Sequence, residues 1–348
     1  MGMISVALGR LGQAFLLLIA MSLIGFIGIH SVGNPVFNVV NIETATPEDI
    51  HAATIALGLD QPIWRQYLAF IGNVVSGNFG TSYIYHLPAF ELVMSKLPAT
   101  LELASIAMLI AAPLGTGLGL LAGRRSGTLF DRTMVKASVS ALSIPSFWLA
   151  MMLILVGAIL TGWFPSGGRG LTASFLGQEW SFLTANGLWH LVLPALALAI
   201  PNIALIARLS RSGTIEVENL DFTRFCRAKG LSSRRILLRH TLPNISVPIV
   251  TIIGLQFGGM LAFAVVVETV PIVTIIGLQF GGMLAFAVVV ETIFSWPGVG
   301  KLLIDSIQLL DRPVVMATLT FIAVAFVALN ALVDLFYAVL DPRVRLSS

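Results

Sequence analysis

The sequence predicts an all-α protein, a polytopic transmembrane helix bundle of about six spans with a cytoplasmic N-terminus. Three observations predict it. Only 11% of the 348 residues are charged, 57% are hydrophobic, and the mean hydropathy is +0.93. A soluble domain carries roughly 25% charged residues, so this chain has too few charges to coat itself in water. The apolar residues also gather into uncharged runs of about 20, the length one helix needs to cross the hydrocarbon core. The basic residues, finally, crowd into alternate loops between these runs, as loops on the cytoplasmic side do.

The runs cover residues 11–29, 103–123, 137–160, 189–207, 246–267, 269–290 and 313–333. The first is read as an uncleaved anchor, because no small-x-small cleavage site follows it before Asn34-Pro35. Residues 247–269 read VPIVTIIGLQFGGMLAFAVVVET, and 270–292 read the same. Identity over 23 residues without one substitution is not a drifted repeat. It marks a recent duplication or a copying error, and the two copies are counted as one functional span. Fifteen basic residues then fall inside: Arg10, Arg124, Arg125, Arg132, Lys136, eight from Arg208 to Arg239, Arg343 and Arg345. Five fall outside: Arg65, Lys96, Arg169, Lys301 and Arg312. A seventh regular span would move Arg343 and Arg345 outside, against the positive-inside rule.

The chain therefore divides into an anchor (1–30), an extracytoplasmic segment (31–100), a core (101–340) with a cytoplasmic loop at 208–244, and a cytoplasmic tail (341–348). In the extracytoplasmic segment, Thr46-Pro47-Glu48-Asp49 reads as an N-cap, a first-turn proline and first-turn acids, with Gly58 as the stop. Trp64, Tyr67, Leu68 and Phe70 predict a second short helix with an aromatic face suited to a membrane interface.

Several chemistries are excluded. A single cysteine, Cys226, rules out a disulfide framework and a Cys-rich metal site. No HExxH or GxSxG occurs, and Gly298-Val299-Gly300-Lys301 lacks the GxxxxGK[ST] spacing. The chain is expected to be no enzyme, to hydrolyse no ATP and to hold no metal or cofactor. Net charge +3 and a pI near 9.3 follow from topology rather than from nucleic-acid binding. Glu102, Asp334, Glu268 and Glu291 lie at or just past span ends. Ion-coupled carriers use buried ionisable relays, so either the energy comes from elsewhere or the protein is a passive pore. His190, beside Trp189, reads as interfacial rather than catalytic.

Within the spans, Gly115, Gly119 and Gly123 form a small-residue face suited to close helix packing, within one subunit in preference to a dimer contact. Pro113, Pro145, Pro194 and Pro201 permit kinks. Ser140, Ser143, Asn202, Gln256 and its twin Gln279 are candidate pathway groups, with helix–helix hydrogen bonding as the plainer role.

The loop at 208–244 carries the strongest signal. Asp221-Phe222-Thr223 starts a helix, Gly230 ends it, and Ser232-Ser233 starts another, giving a basic helix–turn–helix. A solvated basic loop is the plainer reading. The loop resembles the coupling loop of ABC-transporter permeases, EAA-x3-G-x9-I-x-L-P. Gly230 precedes Leu242-Pro243 at that spacing, while Arg224, Phe225 and Cys226 replace EAA and His240 replaces Ile. The run Arg227-Ala228-Lys229-Gly230-Leu231, with Arg234-Arg235 and Leu238-Arg239-His240, resembles the dipeptide/oligopeptide branch, whose form is close to RAKGLSxRRVLLRHALRN. Leu57 to Pro62, Leu97 to Leu103, Ser143 to Trp148, Glu291 to Gly300 and Asp341 to Arg345 continue the resemblance in order. That branch has one copy of the repeated span, so this chain departs from it there.

The resemblance implies the fold of a type I ABC importer permease in a bacterial inner membrane, surrounded by lipid. The implied partners are a second homologous permease, two cytoplasmic ATPase subunits that use ATP and Mg, and an extracytoplasmic substrate-binding protein. In the coupling loop, Phe225 and Leu231 would anchor in the ATPase, Gly230 would form the elbow, and Arg227 and Lys229 would add charged contacts. Asp221, Arg224, Ala228, Arg234 and Pro243 complete that surface. Glu291, Phe294, Trp296, Pro297, Gly298 and Gly300 would lie at the outer mouth. There they would gate the path, meet the binding protein, or simply pack. The implied cargo is di- or oligopeptide, with nickel complexes or glutathione as alternatives within the family. An ATP-independent channel or secondary carrier is the alternative outside it.

Overall fold

The computed structural model describes residues 18–20, 22–23, 25–28, 30, 35–38, 40, 46–261 and 288–340. Residues 262–287, which hold the end of the first repeat copy and most of the second with Gln279, and the tail at 341–348 lie outside them. The described residues are overwhelmingly helical, as the composition predicts.

Helix α1 (Pro47–Ala56) begins as its first four letters dictate. The Asp49 N–H donates to Thr46 Oγ1 at 3.2 Å, and the Thr46 N–H donates back to Asp49 Oδ2 at 2.9 Å. The Thr46 N–H and the Thr46 hydroxyl, which donates to the same Oδ2 at 2.8 Å, hold the Asp49 carboxyl below the usual carboxylate range. The helix ends at Gly58, whose φ of +68° suits a residue without Cβ. Helix α2 (Ile63–Val75) follows. Its Tyr67 and Phe70 rings pack on Phe26 of the helical residues near 18–28, at 5.3 and 6.0 Å between centroids. Ile63, Trp64 and Leu68 stay exposed.

Helices α3 (Ala89–Arg124) and α6 (Ala185–Glu218) form the axis of the molecule. Among the described residues these two are long and apolar enough to cross a membrane unbroken. At about 1.5 Å per residue, both exceed the roughly 30 Å hydrocarbon core and project beyond it. They run parallel, with the glycine face of α3 against α6. A Cβ on Gly115 would stand 2.8 Å from Ile206 Cβ, one on Gly119 2.5 Å from the Ala207 carbonyl oxygen, and one on Gly123 2.6 Å from Thr214 Cβ. The two backbones touch wherever hydrogen replaces a side chain. In lipid, where apolar burial drives little association, such close packing supplies the attraction.

The run at 137–160 is not one straight span. Helix α4 (Leu129–Ser143) stops, Ile144 and Pro145 are extended, and helix α5 (Ser146–Ile154) restarts and widens into a π turn, Leu155–Leu160. The two pieces meet at 102°. Proline lacks the N–H that would continue the ladder and pushes its predecessor out of the helical region. Pro98, Pro113, Pro194 and Pro201, by contrast, sit inside continuous helices. Counting each bent pair as one span gives up to four spans among the described residues, with two shorter apolar helices beside them.

A small antiparallel hairpin, β1 (Ala173–Phe175) and β2 (Gln178–Trp180), precedes α6 and went unforeseen in the sequence. Its Leu176-Gly177 turn has positive φ at both residues, the geometry that matches strand twist in a two-residue loop. The segment read as loop from 208 is helical to Glu218, as the end of α6. Helices α7 (Asp221–Ala228) and α8 (Ser233–Ile236) come next, then a π turn, Leu237–Thr241, and α9 (Leu242–Leu261). Helices α10 (Val299–Gln308) and α11 (Arg312–Leu340) close the bundle. Helix α11 packs on α9 and α3, and Gly25 presses on its Leu319.

Candidate functional site

The basic end of α6 carries an elbow. Thr223, the one buried residue of α7, donates its hydroxyl to the Val217 carbonyl at 2.7 Å, and Arg227 forms an ion pair with Glu218. These two contacts fold α7 back on the end of α6. Gly230, at φ +76°, then reverses the chain. Its N–H bonds to the Arg227 carbonyl at 2.9 Å, and the Leu231 N–H bonds to the Cys226 carbonyl at 3.2 Å. This bond pair is the glycine-terminated helix end that the Gly230 position predicts. Ser232 caps α8 by accepting from the Arg235 N–H at 3.4 Å.

Most of the elbow faces outward. Phe225, Arg224, Ala228, Lys229, Gly230, Arg234 and Pro243 are exposed, and Leu231 is half-buried. The Lys229 ammonium lies 4.5 Å from the Phe225 ring centroid, and Arg224 reaches Asp221 at 3.5 Å. Ile236, Leu237 and Thr241 are buried behind them and fix the elbow to the bundle. Beside it, Arg211 of α6 forms a two-pronged ion pair with Asp131 of α4. The result is an exposed aromatic ring among cations on a firmly rooted turn, which is a surface for contact rather than for catalysis.

The opposite end holds a second constellation. Phe294 and Trp296 are among the largest fully buried side chains, and Glu291 is buried with them. Glu291 accepts from the Thr100 hydroxyl at 2.8 Å and from the Lys301 N–H at 3.0 Å, so its carboxylate caps α10. The Thr100 hydroxyl accepts from the Val299 N–H at 2.8 Å, and the Trp296 indole donates to the Ala99 carbonyl at 2.8 Å. Gly298 has no room for a methyl, since a Cβ there would lie 2.3 Å from Glu291 Oε1. Gly300 is buried and Pro297 partly so.

Sequence reasoning missed the charge pair that closes this knot. Glu102 lies inside α3, one residue before the apolar run at 103–123. It accepts from Arg169 at 2.9 Å and from the Phe182 N–H at 2.5 Å. Arg169 also donates to the Glu179 carbonyl at 2.6 Å and stands 5.9 Å from the Trp296 ring centroid. The Gly168 N–H donates to the Phe294 carbonyl at 2.7 Å. Two lone opposite charges in apolar surroundings were the available signal. Their separation of 67 residues hid the pairing.

Among the candidate pathway groups, Asn202 of α6 and Gln256 of α9 are buried and bonded to each other at 2.5 Å, a helix–helix link. Ser140 and Ser143 are exposed on α4, and Ser143 donates to the Val139 carbonyl at 2.9 Å. The structure does not bring these two pairs together. Among the described residues His190 bonds locally, its Nδ1 donating to the Asn186 carbonyl at 2.8 Å.

Family models match almost the whole chain. A model described as the N-terminal part of the binding-protein-dependent transport system membrane component matches residues 3–104. A second, the binding-protein-dependent transport system inner membrane component, matches 115–271 and again 269–346. The chain belongs to this family. It is a multi-pass inner-membrane protein and a transport permease, not an enzyme. The second match breaks at the junction of the two repeat copies, as expected where one span of the family is written twice. The chain is 35% identical to the dipeptide transport system permease protein of Escherichia coli, over 99% of both chains. It is 35% identical to the di/tripeptide transport system permease protein of Pseudomonas aeruginosa, again over 99% of both. Identity to the oligopeptide transport system permease protein of Bacillus subtilis is 36%, over 83% of this chain and 82% of the relative.

Proposed function

We propose that this permease is half of the translocation pathway of an ATP-driven, binding-protein-dependent importer of di- or oligopeptides. The rooted, outward-facing elbow at Gly230 carries the reading. A second homologous permease supplies the other half of the pathway. Two cytoplasmic ATPase subunits, which use ATP and Mg, engage the elbow, and an extracytoplasmic binding protein delivers the peptide. Closure of the ATPases moves α7 and α8, and the Thr223 and Glu218–Arg227 contacts pass that motion to α6. Phe225 and Leu231 are the apolar anchors of the contact; Arg224, Arg227, Lys229 and Arg234 are its charged rim. The peptide cargo rests on what the relatives are named for.

Gly230→Pro places a fixed negative φ where the backbone is at φ +76°, and removes the N–H that bonds to Arg227. In the reconstituted complex it should leave basal ATP hydrolysis standing while peptide uptake collapses. Gly230→Asp should do the same more mildly. Normal uptake in both variants refutes the coupling role. Uptake into liposomes by the chain alone, without ATP, would instead identify a carrier. Accumulation of nickel or glutathione rather than labelled peptide would move the cargo within the family.

A further inference from the structure

Helix α4 shows one narrow stripe to the rest of the molecule. Its buried residues are Asp131, Met134 and Ser138, which share one helical face. Among the described residues, the main apolar core takes no buried side chain from α4. Met134 instead joins Ala122 of α3 and Ala207 of α6 in a small separate cluster, with Phe130 against it. Ser138 spends its hydroxyl within the helix, on Met134 Sδ at 3.3 Å. The polar tie from α4 to another helix is the Asp131 carboxylate.

Asp131 is 2% exposed. Arg211 of α6 donates to it with two nitrogens, Nη2 reaching Oδ2 at 2.9 Å, and the Gly127 N–H donates to the same oxygen at 2.9 Å. The Arg211 guanidinium holds that carboxyl down at about 2, so the pair stays charged at any working pH. The backbone of Arg211 is gripped as well. A Cβ on Gly119 would stand 3.0 Å from its nitrogen, and one on Gly123 2.8 Å from its carbonyl oxygen. Arg211 is therefore where α3 and α4 both meet α6. About two turns further along α6 come Val217 and Glu218, which root the elbow.

The far end of α4 is built to move separately from α5. Ile144 and Pro145 interrupt the backbone ladder, and α5 leaves at 102°. A few residues at an element end suffice for a hinge. Ser140 and Ser143 are exposed on the α4 side of that break.

We propose that Arg211 and Asp131 are positioning residues for coupled transport: the pair carries the motion of the elbow from α6 into α4, and so sets the position of Ser140 and Ser143. This inference rests on the coupling reading of the elbow and extends its route beyond α6. A two-pronged guanidinium–carboxylate contact fixes direction as well as distance. The apolar contact at Met134 has no such directionality.

The test uses the reconstituted complex and reads peptide taken up per ATP hydrolysed, beside the thermal midpoint. Asp131→Asn should assemble with the ATPase subunits and hydrolyse ATP, but its uptake per ATP should fall about fivefold, within the range for one residue on a coupling route. Arg211→Lys keeps the charge and loses the second prong, so its ratio should lie between wild type and Asp131→Asn. The double variant Asp131→Asn/Arg211→Gln should fall no further than Asp131→Asn, because the two residues act as one unit. It leaves no unpaired charge, so it carries the test if the single variant fails to fold. A purely structural pair would lower the midpoint and the yield of assembled complex with the ratio unchanged, and that result overturns the proposal. Single losses that add in the double variant overturn it too. Gly230→Pro is measured beside them. If it uncouples while the Asp131 variants keep the wild-type ratio, the elbow reading stands and the route through α4 is refuted. If Gly230→Pro also keeps the wild-type ratio, the coupling reading has failed, and this inference falls with it.

Discussion

The two ends of this permease spend their polar groups differently. At the knot around Trp296, Glu291, Glu102 and Thr100 are buried, and each is satisfied by partners from segments far apart in sequence. At the elbow, Asp221, Arg224, Lys229 and Phe225 are exposed and, among the described residues, bonded within their own turn, while Thr223, the Glu218–Arg227 pair and the buried Ile236, Leu237 and Thr241 root it. Buried polar networks are costly to disturb once one member is lost. Exposed side chains change stability little. The knot therefore holds the bundle together, and the elbow is free to be shaped by a partner. Substitutions at the two ends should separate stability from coupling.

The largest loss is expected at Gly298→Ala. Its methyl would lie 2.3 Å from the Glu291 carboxylate, which cannot yield without releasing Thr100 and the Lys301 N–H. Overpacking plus orphaned buried donors should cost about 3 kcal/mol or more. It would show as a sharp drop in the thermal midpoint of the detergent-solubilised protein. Wild-type stability would break the comparison by showing that the turn is not packed as described. Glu291→Gln keeps the shape but aims an amide N–H₂ at donors, and about 1–3 kcal/mol should be lost. Trp296→Phe removes one bond, to the Ala99 carbonyl, and should cost about 1 kcal/mol.

How much of this was legible follows from distance along the chain. The caps at Thr46 and Ser232 and the stops at Gly58 and Gly230 were readable, because each is settled by residues within one turn. The small-residue face of α3 was readable as a face, but its partner on α6 was not, since nothing local names Ile206 or Thr214. Pro145 was read as permitting a kink, but nothing in its apolar run told a break there from the continuous helices at the other prolines. Proline is tolerated in membrane helices, and Pro113, Pro194 and Pro201 are the proof. The motif from Glu291 to Gly300 was recognised as special, but gating, contact and packing stayed open together, because its partners Ala99 and Thr100 lie nearly 200 residues away. Arg169 and Glu102, which complete its burial, looked like stray charges until the fold joined them.

At the elbow the expected stability effects are smaller. Gly230→Ala meets open space and keeps the N–H, so it should cost only the strain of a Cβ at positive φ, about 1–2 kcal/mol. It should couple better than Gly230→Pro, because the turn can still form. If the alanine variant were as defective in uptake as the proline variant, the role of Gly230 would be close contact with a partner rather than backbone geometry.

The smallest stability change is expected at Phe225→Ala. The ring is 59% exposed, and its recorded partner among the described residues is the Lys229 ammonium. Losing one solvent-exposed cation–π contact should leave stability within about 0.5 kcal/mol of wild type, read as a nearly unchanged thermal midpoint. On the proposed coupling role, the same change in the assembled transporter removes the apolar anchor of the ATPase contact. Uptake driven by ATP should then fall far more than stability does, and ATPase subunits should co-purify less well with the variant. The charge-conserving control is Lys229→Arg, which keeps a cation over the ring. A Phe225→Ala protein that is destabilised like Gly298→Ala would mean that the ring is packed rather than presented. One that is stable and transports normally would mean that the exposed ring is not where the ATPase grips.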